Sequence, residues 1–218
     1  MKIPLIFILT FILVHFNSFG QQSVETFQST TESIYSKYKN TYEAGSIGEA
    51  LEHNSECGHL LINVSIDKKA APIALSADLG KLGNLIKISV HNNKRIIFPN
   101  EIGNLLNLES LEVVSSPLQD GDVPIEIRNC ENLKIVMLDG DNEFTIIPQG
   151  LLEINKLQFL IITMGESVER ELLINQLLDL SNRENKTYII IKNWDRHVFA
   201  KMKMKRNLKN KNIAISFT

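Results

Sequence analysis

Cysteine is scarce in this chain: Cys57 and Cys130 are the only two in 218 residues. That leaves no material for a disulfide framework. Strong net charge is missing as well. The formal charge is −2, and −3 once Lys2, the only charged residue among the first twenty, is subtracted. Such a balance does not mark a nucleic-acid or membrane-surface protein by overall electrostatics. Long apolar runs are absent too. The longest, Ile3 to Phe16, is about 14 residues, short of the ~20 that cross a bilayer as a helix. Catalytic signatures are also wanting. There is no Gly-rich phosphate loop, no GxSxG elbow, no HExxH and no paired carboxylates in a recognisable setting.

What is present begins with a leader. Lys2 supplies a positive start, Ile3–Phe16 an apolar core and Asn17-Ser18-Phe19-Gly20 a small-residue exit before Gln21. This is the form of a secretory signal peptide over residues 1–20, and it places the mature protein in the periplasm, at the cell surface or outside the cell. No cysteine follows the apolar core, which argues against a lipid anchor. From Gln21 to about Ala44 the spacing predicts a helix with Val24, Phe27, Ile34, Tyr38 and Tyr42 on one face. Ser46-Ile47-Gly48-Glu49 has the capping-box form, so a second helix is expected from Ile47.

The centre of the chain is periodic. Leu75-Ser76 is followed by Leu79, Leu82, Leu85, Ile88 and Val90, and Phe98-Pro99 by Ile102, Leu105, Leu108, Leu111 and Val113. Val123-Pro124 leads to Ile127, Cys130, Leu133, Val136 and Leu138, and Ile147-Pro148 to Leu151, Ile154, Leu157, Leu160 and Ile162. Successive copies start 23, 25 and 24 residues apart. Steps of three suit a short helical or 3₁₀ segment with one buried face, and the closing alternation suits a short strand. Proline opens the helical half without cost, because its missing N–H has no partner there. One such unit cannot cover its own apolar side, so the units must stack.

At these residues the chain resembles the leucine-rich repeat family, in the bacterial form whose helical half begins LPxxI; Phe98-Pro99-Asn100-Glu101-Ile102-Gly103-Asn104-Leu105 carries the resemblance best. The implied fold is α/β: a right-handed solenoid with a curved parallel sheet on its concave face and an N-terminal helical cap. The family's asparagine ladder position carries Asn93, Ser116, Asp141 and Gly165 here, so a continuous ladder is not expected. The expected divisions are leader 1–20, helical cap 21–60, repeats 61–165 and degenerate closing repeats 166–218. Leu61-x-x-Val64-x-Ile66 is taken as the first strand, Tyr188–Ile191 and Ile213–Phe217 as the last two of about seven, with helices over 168–180 and 194–208 between them.

Cys130 fills an inward slot and reads as a small buried hydrophobe. Cys57 lies about three repeats away, or ~14 Å at ~4.8 Å per strand, beyond disulfide reach. His53, Cys57 and His59 are the only cluster of metal-like side chains, but a structural zinc site needs four ligands, so no metal and no cofactor is expected. The basic run of Lys201, Lys203, Lys205, Arg206, Lys209 and Lys211 lacks interleaved aromatics and reads as a solvated helix face, not a nucleic-acid site.

The informative surface is the concave sheet face, readable in columns. The first runs Asn63, Lys87, Ser110, Ile135, Phe159; the second Ser65, Ser89, Glu112, Met137, Ile161; the third Asp67, His91, Val114, Asp139, Thr163. Ile135, Met137, Phe159 and Ile161 form a contiguous apolar block, of the kind that marks an interaction surface when exposed. The expected function is recognition of a protein or peptide there, without catalysis. The four apolar residues are the anchors, and Lys87, His91, Glu112 and Asp139 the orienting polar rim. A self-associating envelope scaffold, a homo-oligomer built through the same patch, is the alternative. No membrane insertion is expected once the leader is removed.

Overall fold

The computed structural model describes residues 19–63, 71–91, 94–180, 186–193 and 213–217. The expected 194–208 helix, the basic run, the Val64–Ile66 end of the anticipated first strand and most of the leader lie outside them.

Each repeat folds as its spacing dictates. The three-residue steps become 3₁₀ segments over Ala77–Lys81, Asn100–Asn104, Ile125–Asn129 and Gln149–Glu153. Pro99, Pro124 and Pro148 stand at the N-caps of the last three. The first copy, which lacks proline, uses the Ser76 hydroxyl to accept from Asp78 N at 3.2 Å. The alternating ends become strands β4 (Lys87–His91), β6 (Ser110–Val114), β7 (Ile135–Asp139) and β8 (Phe159–Thr163). Leu85, Leu108, Leu133 and Leu157 each lie two residues before a strand, and all four are fully buried in one core.

Those strands are the middle of an eight-stranded parallel sheet. Ahead of them are β1 (Tyr42–Ala44) and β2 (Cys57–Asn63), and after them β9 (Thr187–Lys192) and β10 (Ile213–Phe217). A two-stranded piece, β3 (Ile73–Ala74) with β5 (Ile96–Ile97), begins the turn column on the other side. The α-helices among the described residues are α1 (Gln21–Tyr38), α2 (Ile47–Glu52) and α3 (Arg170–Leu180). The 3₁₀ segments stack so closely that a Cβ on Gly103 would sit 2.5 Å from the Glu126 carbonyl oxygen.

An amide ladder runs along the turns just before the strands. Asn84 Nδ2 donates to Asn54 O at 3.1 Å, Asn107 to Gly83 O and Asn132 to Leu106 O, both at 2.8 Å. On the opposite turns, Asn142 accepts from Leu118 N at 3.0 Å and donates to Leu138 O at 2.9 Å. Asn142 thus bonds the turns in that repeat.

Three expectations need correction. First, the anticipated helix over Gln21–Ala44 ends at Tyr38, and Tyr42 belongs to an eighth strand whose side chain packs into the solenoid core. Second, the first full rung is displaced by four residues. His59 pairs with Lys87 and Asn63 with His91, so Cys57-x-x-Leu60-x-Ile62 is the rung and Cys57 fills its inward slot. Third, α1 is not an end cap. It lies along the concave sheet face, and only α2 sits at the N-terminal end, against β1, β2 and the first 3₁₀ segment. The capping box of α2 forms in altered shape: Ser46 accepts from Glu49 N at 3.2 Å, while Glu49 takes Gly45 N at 2.8 Å and the Tyr42 hydroxyl at 2.6 Å.

Candidate functional site

Between β4 and β8 the concave columns fall where the alternation places them: Lys87, Ser110, Ile135, Phe159; Ser89, Glu112, Met137, Ile161; His91, Val114, Asp139, Thr163. The first rung contributes His59, Leu61 and Asn63 in place of Asn63, Ser65 and Asp67. Strand β9 extends the columns with Tyr188, Ile190 and Lys192.

The four apolar anchors do adjoin one another, but they are covered. Ile135 is 3% exposed, Met137 6%, Phe159 0% and Ile161 1%. Phe27 and Ile34 of α1, themselves buried, close over them together with Tyr188 and Ile190, and Val24 and Tyr38 complete the contact. This is a second apolar core, separate from the one inside the solenoid. Phe27 meets the Phe159 ring edge-on at 4.8 Å, and Phe159 stacks on Tyr188 at 5.2 Å. The expected exposed patch is therefore an internal interface.

The geometry of that interface follows from two periods. An 18-residue helix is ~27 Å long, and the five gaps from β2 to β9 span ~24 Å. One helical turn advances ~5.4 Å and one strand ~4.8 Å, so each turn settles over about one strand. The N-terminal half of α1 lies over β8 and β9, where Phe27 meets Phe159, and at mid-helix Thr30 Oγ1 donates to Gln158 at 2.9 Å. Its last turn carries Lys37 to Glu109, which Lys134 also engages. Its C-terminal end reaches β2 and β4, with the Tyr38 ring 5.2 Å from the His59 ring.

Under that end the sheet face is polar and paired. Lys87 Nζ donates to Glu112 at 2.6 Å and stands 5.8 Å from the Tyr38 ring. Burial pulls the Lys87 ammonium down, but the Glu112 carboxylate outweighs it and holds the amine above its ordinary range. His59 bridges Glu43 at 2.8 Å and Ser89 at 3.0 Å. Burial, helped by Lys87, keeps the His59 imidazole below its usual value, and burial does the same to His91. Burial also raises the Tyr38 phenol. Glu109 loses solvent too, yet its two lysines more than compensate and its carboxyl lies below the ordinary range.

The rim residues thus divide. Lys87 and Glu112 are buried as an ion pair, whereas His91 and Asp139 are half-buried at the strand ends, with Asp139 accepting from Lys192 at 2.9 Å and Thr163 at 2.9 Å. Sequence reasoning missed His59, Tyr38, Tyr188 and Ile190 as parts of this face. The first was lost to the four-residue displacement, though Cys57-x-x-Leu60-x-Ile62 repeats the Leu85-x-x-Ile88-x-Val90 spacing and could have revealed it.

The metal-like cluster disperses. His53 stacks on Tyr42 at 4.0 Å, Cys57 faces the solenoid core and His59 the concave side. Among the described residues no three His, Cys, Asp or Glu side chains are placed to hold a metal ion. Both cysteines are buried free thiols, and burial pushes Cys130 up to about 12. No described helix is long and apolar enough to cross a membrane.

Rungs of strand, turn and 3₁₀ segment in one parallel register make this a leucine-rich repeat solenoid, a class set by the chain's own geometry. Comparison with solved structures finds similarity to leucine-rich repeat proteins at low identity. The ectodomain of the receptor kinase SOBIR1 from Arabidopsis thaliana is 18% identical over 43% of this chain and 50% of its own, with a TM-score of 0.33. The leucine-rich repeat domain of the type III effector XopL is 13% identical over 78% and 57%, at 0.48. An internalin from Listeria monocytogenes is 16% identical over 75% and 50%, at 0.41. The chain spans about half the length of these three. No protein-family model matches it, and no curated protein does.

Proposed function

We propose that the protein is a non-catalytic, extracytoplasmic binding module that recognises an amphipathic helix of a protein or peptide on its concave sheet. In the isolated chain α1 holds that place. The observation that carries this reading is the seating of Phe27 and Ile34 against Ile135, Met137, Phe159 and Ile161. A groove that accepts one amphipathic helix has the shape and apolar lining to accept another. The incoming helix needs apolar side chains at i, i+7 and i+11, the spacing of Phe27, Ile34 and Tyr38.

A role without catalysis is supported by the pairing of the buried titratable groups, Lys87 with Glu112 and His59 with Glu43 at the surface. The location rests on the leader-like residues 1–20, and mature protein recovered from envelope fractions should begin at Gln21. Self-association through the same patch would require two copies to exchange α1; an equilibrium sedimentation run showing monomer at high concentration rejects that route.

The test is a titration with a fluorescent peptide of residues 21–38. The variant Phe27→Asp/Ile34→Asp frees the groove without touching the sheet, and it should bind the peptide at least tenfold more tightly than the wild type, whose groove is filled. A freed groove that ignores the peptide would sink the proposal.

A further inference from the structure

Beside the N-terminal half of α1 is a crevice that the apolar contact does not use. It encloses about 380 Å³ and is lined by Thr26 of the helix and by Lys134, Lys156, Gln158, Lys186 and Tyr188 of the rungs. That is at the small end of the ~300–1,000 Å³ range of ligand sites. Among the described residues that line it, three side chains are cationic and none is acidic. Lys134 shares Glu109 with Lys37. Lys156 donates to the neutral Asn132 at 2.7 Å, and the Lys186 ammonium stands 4.9 Å from the Tyr188 ring. Neither of the last two has an ion-pair partner among the described residues, so the described lining carries an excess of positive charge.

Its neutral lining adds a second requirement. The Thr26 hydroxyl donates to Gln22 O at 2.7 Å, which leaves its oxygen free to accept. Gln158 takes the Thr30 hydroxyl on Oε1, which leaves its amide N–H groups as donors. A bare anion uses the charge but not the acceptor; a hydroxylated anion uses both.

We propose that this crevice binds a small hydroxylated organic anion, a sugar bearing a phosphate or carboxylate, held between α1 and the sheet. Because Thr26 is on the helix and the other five residues are on the rungs, the bound anion ties α1 down. The proposal is independent of the peptide-groove reading.

Isothermal titration of the full chain with glucose 6-phosphate, glucuronate, glucose and inorganic phosphate tests it. At low ionic strength at least one anionic sugar should bind tenfold more tightly than glucose or phosphate, and high salt should weaken that binding. Lys156→Glu/Lys186→Glu should lose at least tenfold in affinity while keeping its melting temperature, since both lysines are exposed. Lys156→Gln/Lys186→Gln should lose less. Saturating sugar anion should also slow amide exchange in α1 of the wild type. Failure of both anionic sugars to bind, equal binding of phosphate or glucose, or undiminished binding by the charge-reversed variant overturns the assignment.

Discussion

Replacing Phe27 by alanine should release α1 and leave the solenoid folded. Phe27 is 1% exposed and sits wholly in the core between helix and sheet. Truncating a buried phenylalanine costs about 3–5 kcal/mol. Burying Phe27 and Ile34 gives about 1.5–3 kcal/mol each. Half-buried Val24 and Tyr38, the Thr30–Gln158 hydrogen bond and the ion pair between exposed Lys37 and buried Glu109 bring the gross gain to roughly 6–9 kcal/mol. Nucleating a helix costs about 4 kcal/mol, so docking nets about 2–5 kcal/mol. The substitution therefore removes about as much as holds α1 in place. Hydrogen exchange with mass analysis should show residues 21–38 exchanging at least ~30-fold faster, the equivalent of ~2 kcal/mol, with β6, β7 and β8 unchanged. Phe27→Leu should have a milder effect. Retained protection in α1 would refute the assignment of Phe27 as its main anchor. Equal acceleration in the strands would show that helix and rungs unfold as one unit.

Further tests probe the polar end and the spine. Lys87→Met strands Glu112 in a buried site and should cost about 3–5 kcal/mol in urea unfolding, whereas Lys87→Met/Glu112→Leu should recover most of it. Acidification should lower the melting temperature. His59 and His91 have folded values below their unfolded ones, so the unfolded chain binds more protons. Their contribution is complete above the unfolded pKa of ~6.5 and is lost as pH falls through the folded values. Glu43, Ser89, Lys87, Glu112 and Tyr38 surround His59, and His59→Asn should flatten the decline measured between pH 7.5 and 5.5. Gly103→Ala meets the Glu126 carbonyl at 2.5 Å and should destabilise by about 1–3 kcal/mol. Gly83→Ala, with nothing within 4 Å, should change stability by less than ~0.5 kcal/mol and serves as the control.

The spine was legible because its signal is redundant. Leu85, Leu108, Leu133 and Leu157 each sit in a unit with five other apolar slots, and a mistake in one slot is corrected by the rest. The first rung had no such support: Cys57-x-x-Leu60-x-Ile62 and Leu61-x-x-Val64-x-Ile66 fit the same template, and cysteine in the leucine position hid the right one. The partners of the polar face were invisible for another reason. His59 meets Glu43 through β1, a three-residue strand that carries no alternation long enough to read.

The helix was visible but its destination was not. Val24, Phe27, Ile34 and Tyr38 announce an apolar stripe, yet a stripe states only that something must cover it. Two apolar surfaces could have answered, the open end of the solenoid and the block at Ile135, Met137, Phe159 and Ile161. Length decides between them in retrospect. An end cap needs only to cover one rung, as the six residues of α2 do with β1. An 18-residue helix is as long as six strands are wide, and its pitch nearly matches their spacing. Composition agrees with length. The rungs grow more apolar from β4 to β9, and α1 runs the opposite way, with Phe27 over the apolar rungs and Tyr38 over the polar ones. An exposed apolar block and an unpartnered amphipathic helix in one chain should thus be matched to each other before either is assigned to an outside partner. Any partner that does use this face must present a helix that fits better than α1, whose tether to β1 makes it a strong competitor.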